Sequence, residues 1–548
     1  MKKHNIYYIL MVFMLFSCND DFLERFPETD INDGTFWTTG EDLMIYNNQL
    51  FATYFTTSKG YGGGFDGGYV TMDNYSDNTF MEIPNDVRLG VNTINTPGRS
   101  NWNWELVRDI NQFLEKSSDT DIAEATKNIY IAEARLLRAL DYFDKLKLYG
   151  KLPIIDRVLT EDDELLYAPQ NSRDEVIAFM KADLDFATEW LQDNAPTGRF
   201  NKQIAQAYKA RIMLHEGTFR KYHGQDNANT YLKEAELAAQ AVINSNKYII
   251  DTGKGYAELF GSVSLKGNNE VLFYKEYSDE VQVFNNIINV IKFTEGTTFS
   301  GSKSLIQDYL CTDGLPIEDS PLYQGDDNIT NEFTNRDFRL SSTFAQPNTF
   351  FIGDYLYLGS SPNEIIGASS PSGYQIIKAY NEEHALDAWD RSYLDAPLIR
   401  YAEVLLVLAE AKAEQGTITQ SDIDNSINLL RAKAGVANLT LNSSTVIDDI
   451  RRERRVELAF EGFRYDDLMR WKQGLLLAEP VLGLKFNNVD IADADAFTIG
   501  EDIVLDANGY IMSNQTYVFD ESKNYYFPVP LEERSLNPNL EQSPGWGQ

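Results

Sequence analysis

Aspartate and glutamate are the most numerous side chains in this chain that could do chemistry, with 83 carboxylates against 48 lysines and arginines. Two carboxylates on facing loops could hydrolyse a glycosidic bond, yet no spacing in the sequence marks a pair. Asp73 and Asp77 lie four residues apart, but Tyr75 stands between them where a calcium loop needs an oxygen ligand. The carboxylates therefore identify neither a catalytic pair nor a metal site, and leave a structural calcium open.

The residues of nucleophilic and metal-dependent catalysis are scarce. Histidines occur beyond the N-terminal segment only at His215, His223 and His384, and none lies in an H-E-x-x-H frame. Cys311 has no catalytic signature around it, and the sequence contains no G-x-S-x-G elbow. The glycine-rich stretch 60–69 lacks the Gly-Lys-Ser/Thr of a phosphate-binding loop. Nucleophilic triads and a zinc hydrolase therefore lack support in the sequence, and no cofactor is expected.

Aromatic residues make up 13% of the chain, and many lie in segments rich in glycine, serine and asparagine. A sugar offers an apolar C–H face and a rim of hydroxyls, so a flat ring beside a polar side chain matches both. For any single ring, packing in the core is the commoner role. The candidate ligand contacts on these grounds are Trp102, Asp73, Tyr75, Tyr61, Tyr69, Tyr277 and Trp389.

Helices must position these loops. Apolar residues recur at three- and four-residue spacing over 122–149, 172–193, 201–220, 228–245, 397–416 and 421–435. Such helix pairs resemble tetratricopeptide units, although no strict repeat of about 34 residues survives. We expect an all-α, tetratricopeptide-like scaffold with long ordered loops and small β elements. Its predicted parts are a helical half at 18–245 with a ligand loop at about 55–103, a loop-rich insert at 246–396 and a second helical half at 397–548.

The N-terminus has the pattern of an export signal. Lys2 and Lys3 precede an apolar run from Ile6 to Phe16, which is too short for a membrane span of about 20 residues. The run ends at Cys18, and this arrangement resembles the lipobox of bacterial lipoproteins. The acidic residues that follow resemble the surface-export signal of Bacteroidota lipoproteins. We therefore expect residues 1–17 to be a signal peptide and the lipidated Cys18 to anchor the protein on the surface of the outer membrane.

The distribution of charge argues against a nucleic-acid partner and bears on the role of the arginine-rich block 451–472. The net charge of −35 repels phosphate backbones, so no nucleic-acid partner is expected. The block 451–472 looks basic, yet its seven lysines and arginines face five carboxylates. Arginine's planar fork can tie carboxylates and carbonyls from several segments at once. We interpret the block as part of the scaffold and not as a patch for an anionic partner.

Six stretches together resemble the SusD/RagB family of outer-membrane nutrient-binding lipoproteins. They begin with "CNDDFLERFPETDINDGTFWTTGEDL" from Cys18, "NWNWELVRDINQFLE" from Asn101 and "EARLLRALDYFDKLKLYGKLPII" from Glu133. The others are "RYAEVLLVLAEAKAEQG" with "INLLRAKAG", the arginine block, and "NYYFPVPLEERSLNPNLEQSPGW" from Asn524. They follow one another in family order over nearly the whole chain after residue 17.

The resemblance implies capture of oligosaccharides, without catalysis, and their delivery to a SusC-like TonB-dependent transporter. In the RagB branch it implies peptides instead, and an exported helical glycosidase is a third alternative. Family members with a known sugar site use aromatic residues near the helix that begins in this chain at about Trp104. The resemblance therefore favours Trp102 as a ligand contact and Trp104 as a scaffold residue.

Overall fold

The computed structural model describes most of the chain between residues 36 and 547. The described ranges are 36–56, 58–63, 68–253, 255–288, 299–346, 351–352, 355–356, 370–384, 388, 390–486, 498–500 and 503–547. Long helices dominate these ranges and strands are short, so the predicted helical fold class is confirmed. Within the described ranges, no helix is both long enough and apolar enough to cross a membrane.

Short strands lie between the helices along the chain. The helices are α1 (Gly40–Tyr54), α2 (Gly68–Met72), α3 (Asp86–Leu89), α4 (Glu105–Ser118), α5 (Glu124–Tyr149), α6 (Arg173–Trp190), α7 (Lys202–Tyr222), α8 (Ala228–Asn244), α9 (Tyr256–Phe260), α10 (Lys303–Asp308), α11 (Ile329–Phe333), α12 (Phe338–Thr343), α13 (Tyr401–Glu414), α14 (Gln420–Asp424), α15 (Ile427–Ala434), α16 (Val446–Glu457), α17 (Arg464–Arg470) and α18 (Leu531–Leu536). The strands are β1 (Thr79–Met81), β2 (Val271–Lys275), β3 (Phe299–Gly301), β4 (Phe351–Ile352), β5 (Tyr355–Leu356), β6 (Ala396–Arg400), β7 (Leu482–Lys485) and β8 (Tyr510–Met512).

Local sequence sets the ends of the scaffold helices. Ser172 and Glu175 form a capping box at the start of α6, which satisfies backbone N–H groups that lack a partner inside the helix. Helix α5 ends at Gly150, whose φ of 76° is a conformation that glycine adopts without strain. Two predicted helices are shorter than expected. Residues 397–400 belong to β6, and the predicted helix 421–435 is divided into α14 and α15.

One hydrophobic core joins the two ends of the chain. Helices α5 and α6 pack together, as do α7 and α8, and α13 packs against α8 and α16. All residues of α13 except Lys412 are buried, and its three buried glutamates are each paired with a basic residue, Glu403 with Arg211, Glu410 with Arg470 and Glu414 with Lys221. The core contains residues from Leu43 in α1 to Leu540 near the C-terminus. The two helical segments therefore form one packed body.

A second core lies beneath the intervening segment, and short ladders attach that segment to the rest. Antiparallel pairs join β1 with β3, β2 with β6, β4 with β5, and β7 with β8. The β1–β3 pair aligns Thr79 with Gly301 and so links the loop around residues 55–103 to the insert. The β2–β6 pair, with Lys275 opposite Ala396, leads directly into α13. The loops are thereby fixed to the helical body.

The arginine block contributes residues to both cores and pairs with carboxylates from several segments. Arg455 donates to Asp308 Oδ2 at 2.5 Å and to Asn78 Oδ1 at 2.9 Å, and it lies 3.0 Å from Asp77 Oδ2. Arg454 pairs with Asp467 at 2.8 Å. These partners come from the loop before β1, from α10 and from α17. The prediction that the arginines serve the scaffold is confirmed.

Candidate ligand-binding sites

Tyr61 and Tyr277, two of the predicted ligand contacts, lie inside the protein. The Tyr61 hydroxyl donates to the carbonyl of Phe260 at 2.6 Å, and the Tyr61 N–H donates to the Tyr277 hydroxyl at 3.2 Å. Their side chains belong to the core beneath the insert and are almost entirely buried. These contacts hold the loop around Tyr61 against the insert. A ligand could reach either ring only if this packing opened, and their role in binding stays a prediction.

Asp73 is also buried and bonds to protein groups. Its Oδ2 accepts from Asn78 Nδ2 at 3.0 Å and from the Phe460 N–H at 2.7 Å. Its Oδ1 is buried without a hydrogen-bond partner among the described residues. Burial raises the pKa of Asp73 to about 6, although the two hydrogen bonds oppose the rise. Asp73 therefore ties its loop to the turn after α16, and its place in a ligand site stays a prediction.

The remaining predicted contacts fall in three places. Tyr69 and Tyr75 are half-buried and line a large, partly open cavity, which we call the central cavity. Trp102 is 9% exposed and lies at the back of a different groove, which we call the tryptophan groove. Trp389 and the predicted lipidation site Cys18 lie outside the described residues. The structure thus brings Tyr61, Tyr69 and Tyr277 together and separates Trp102 from them.

The central cavity measures about 710 Å³ and is lined by charged groups of both signs. It lies between the segment after α1, helices α5 and α7, and α17. Its six basic residues are Lys59, Arg99, Lys147, Arg211, Arg454 and Arg470, and its six acidic residues are Glu105, Asp141, Asp144, Glu461, Asp466 and Asp467. The wall is therefore balanced in charge, in a chain that carries −35 overall. Such a wall suits a polar ligand with many hydroxyls.

Ion pairs hold most of these charges in place. Lys147 lies 2.6 Å from Asp466 and 3.4 Å from Asp144, which also pairs with Lys59. Burial raises the pKa of Asp144, but Lys59 and Lys147 lower it by more, so that it stays well below its usual range. Burial likewise lowers the pKa of Lys147, while Asp466 and Asp144 raise it above its usual value. Asp144 and Lys147 are therefore both charged at neutral pH.

The tryptophan groove measures about 670 Å³ and has an apolar floor. Trp102 and Trp104 meet edge to face with ring centroids 5.7 Å apart, and Trp102 also contacts Tyr149 at 4.8 Å. Trp104 is half-buried, whereas Trp102 is nearly covered. Tyr167 also lines the groove and is 56% exposed. Trp104 and Tyr167 therefore offer more accessible ring surface than Trp102.

Tyr167 is held in place by the C-terminal segment. It ends the short 3₁₀ turn Glu164–Tyr167, which begins with an Asp163 cap. Asn539 Nδ2 donates to the carbonyl of Tyr167 at 2.7 Å, and Asn537 Nδ2 donates to the carbonyl of Ala168 at 2.9 Å. The turn is therefore fixed by residues about 370 positions away in the sequence. An exposed ring on a fixed backbone is suited to stacking against a ligand.

Polar side chains surround the groove. Arg108 and Glu105 are exposed on the first turn of α4, and Arg157 pairs with Asp163 at 3.0 Å. Glu533 reaches the wall from α18, and burial followed by the charge of Glu532 raises its pKa. Fork-shaped donors and carboxylate acceptors can bond to hydroxyls on either side of a ring. The groove can therefore bind the apolar face and the hydroxyl rim of a sugar together.

Trp104 and Tyr167 line the groove but were not among the predicted ligand contacts, although the sequence contains a signal for each. Trp104 stands two positions after Trp102 in "NWNW", and Tyr167 ends an apolar run, "LLY", between Asp163 and Pro169. Leu166 and Tyr167 are both exposed in the structure, and neighbouring exposed apolar side chains can mark a binding surface. In the part of the chain that the structure describes, no group of three or more metal-binding side chains could hold an ion.

Comparison with known proteins yields consistent matches. The family profile described as "SusD family" matches residues 269–546. A SusD-like protein of Bacteroides ovatus is 24% identical over 99% of this chain and 98% of its own length. A protein of Bacteroides thetaiotaomicron described as starch-binding protein SusD is 24% identical over 82% of this chain and 80% of its own. A solved SusD-like carbohydrate binding protein of Bacteroides fragilis, 24% identical, has a TM-score of 0.78 over 92% of this chain and 100% of that one.

Proposed function

This chain belongs to the SusD family, and from that premise we propose that it captures oligosaccharides without hydrolysing them. We propose further that it delivers them to a SusC-like TonB-dependent transporter, while a lipid on Cys18 anchors it to the outer membrane. The names of two similar proteins, one starch-binding and one carbohydrate binding, support a glycan as the ligand. Peptide capture is the alternative ligand class for the same role.

The tryptophan groove is the observation that carries this proposal. Trp104 and Tyr167 both line this groove together with apolar residues such as Leu536, and the C-terminal segment fixes the backbone of Tyr167. Rings of this kind offer a large flat apolar surface on which the C–H face of a sugar can pack. A peptide site would instead need main-chain partners in an extended groove. The groove therefore favours a glycan.

The expected affinity follows from the small number of rings. A shallow site with two or three stacking rings gives a dissociation constant between about 1 mM and 1 μM, which corresponds to roughly −4 to −8 kcal/mol. Such weak binding suits a protein that must release its ligand to a transporter. Trp102 would then act mainly by supporting Trp104, with which it makes an edge-to-face contact.

Calorimetry with neutral oligosaccharides of plant, fungal and animal origin tests the proposal. We expect at least one to bind, and Tyr167→Ala and Trp104→Ala each to weaken its binding about tenfold, the equivalent of about 1.4 kcal/mol. Leu237→Ala is the matched control, since Leu237 is 55% exposed on α8 and away from both cavities. Its binding should equal that of the wild type.

Two results would contradict the proposal. Binding that survives both aromatic substitutions would show that the glycan lies elsewhere. Release of reducing sugar from a bound oligosaccharide by the purified protein would show that it is an enzyme. The transporter is tested separately, by isolating the protein from its native outer membrane and identifying what remains bound to it.

A further inference from the structure

Arg99 is a charged residue of the central cavity for which the described residues provide no carboxylate partner. Its guanidinium carbon lies 4.9 Å from the ring centroid of Tyr75, 5.1 Å from that of Tyr465 and 5.6 Å from that of Phe527. Stacking uses the faces of a guanidinium and leaves the N–H donors at its edge free. Three rings thus hold Arg99 in a fixed position, with its donors available.

The charges around Arg99 do not balance locally. Lys59 and Lys147 share the carboxylates of Asp144 and Asp466, so that two cations face two anions. Arg99 adds a third cation to this side of the cavity. A partly buried charge without a counter-charge is unfavourable, and a ligand carboxylate would supply the missing one. The geometry of an arginine fork allows it to bind that carboxylate through two parallel hydrogen bonds.

We propose that the central cavity binds an acidic sugar, with Arg99 pairing with the carboxylate of a uronic acid residue. The cavity has the size of a small-ligand site, which is about 300–1,000 Å³. Ser58, Ser100 and Asn103 are exposed on its lining and can bond to sugar hydroxyls. The inference rests on the proposed function in taking the ligand to be a glycan. It places the acid in the central cavity, which shares Glu105 with the tryptophan groove.

The net negative charge of the protein limits which acidic glycans fit. Its repulsion acts over the Debye length of about 8 Å at physiological salt and disfavours a polymer with many charges. Over the whole cavity the six basic residues, Arg99 among them, match six acidic ones, so only the part of the wall around Arg99 favours an anion. One or a few carboxylates can therefore bind where a polyanion cannot. The C-terminal carboxylate of a peptide shares this chemistry, and the experiment includes it as a separate arm.

Calorimetry with the purified full chain tests the inference. The probes are trimers of glucuronate, galacturonate and mannuronate, each compared with its own neutral methyl ester. We expect at least one acid to bind about tenfold or more tightly than its ester, and Arg99→Gln to abolish that difference. Arg99→Lys keeps the charge but loses the fork, so the difference should fall to a few-fold. Arg391→Gln changes an exposed arginine outside both cavities and should leave it unchanged.

The outcomes separate this inference from the proposed function. Equal binding of every acid and its ester to the wild type would overturn it, whether or not the Arg99 variants fold. A preference for the acid that persists in Arg99→Gln, with an unchanged melting temperature, would also overturn it. A tripeptide that binds as tightly as the best acid and depends on Arg99 would overturn the assignment to sugars. Neutral glycans that depend on Tyr167 test the groove alone.

Discussion

Removal of the charge on Glu457 should destabilise the junction between the two cores. Glu457 Oε2 accepts from Arg339 Nη1 at 2.9 Å and from the Tyr256 hydroxyl at 2.8 Å, and its Oε1 accepts from Arg400 Nη1 at 2.9 Å. The side chains of Glu457 and both arginines are almost fully buried. One carboxylate therefore joins α16 to the insert and to the end of β6. Glu457→Gln keeps its shape and leaves two buried guanidinium groups without this counter-charge.

The cost of this substitution follows from two independent quantities. Burial raises the pKa of Glu457, but Arg400 and Arg339 lower it by more, to about 2 from its usual 4.5. A difference of about 2.5 pKa units corresponds to about 3 kcal/mol in the free energy of unfolding. Removal of one partner from a buried ion pair costs about 3–5 kcal/mol in other proteins, and the lower end applies here because Arg339 keeps Asp337 and Arg400 keeps Glu461. Because the folded pKa is depressed, this stabilisation is complete above about pH 4.5 and is lost as the pH falls through 2.

Differential scanning calorimetry at pH 7 measures the effect. Unfolding entropy is about 2.1 cal/mol/K per residue, or about 1.2 kcal/mol/K for a chain of 548 residues. A loss of about 3 kcal/mol should then lower the melting temperature by about 3 °C. Glu115→Gln is the matched control, because Glu115 is exposed on α4 and the substitution is the same. If Glu457→Gln melts together with this control, the carboxylate does not stabilise the junction as argued.

Two further predictions concern Asp73 and Cys18. Because the folded pKa of Asp73 is raised to about 6 from 3.8, the folded state holds its proton more tightly, and stability should decrease as the pH rises from about 4 to 6, by about 3 kcal/mol in all. Asp73→Asn removes this contribution, so the change in melting temperature between about pH 4 and about pH 7.5 should differ between the variant and the wild type. An identical change in both proteins would contradict the raised pKa of Asp73. Cys18→Ser should abolish incorporation of a labelled fatty acid in a Bacteroides host, whereas Cys311→Ser, at a buried cysteine, should not. Label retained in Cys18→Ser would place the lipid elsewhere.

The helices and the role of the arginines could be predicted because both depend on residues close in sequence. Residues of α5 at positions i, i+3 and i+4 lie on the same side of the helix. This holds for any helix and does not depend on the rest of the chain. The alternation of arginines with carboxylates in 451–472 likewise excluded a basic surface patch before any partner was known. The partners themselves, such as Asp308 for Arg455, required the structure.

Three properties of this protein follow from the sequence alone: the helical scaffold, the excess of acidic over basic residues, and the aromatic composition of the loops. Which rings are covered and which are exposed depends instead on how the chain packs. Tyr61 lies in glycine-rich sequence typical of a loop and yet packs in a core, while Tyr167 ends an apolar run and yet lies on the surface. Exposure depends on segments that are distant in the chain, such as the C-terminal asparagines beneath Tyr167. Local composition does not encode those contacts, because they form only when the helices pack.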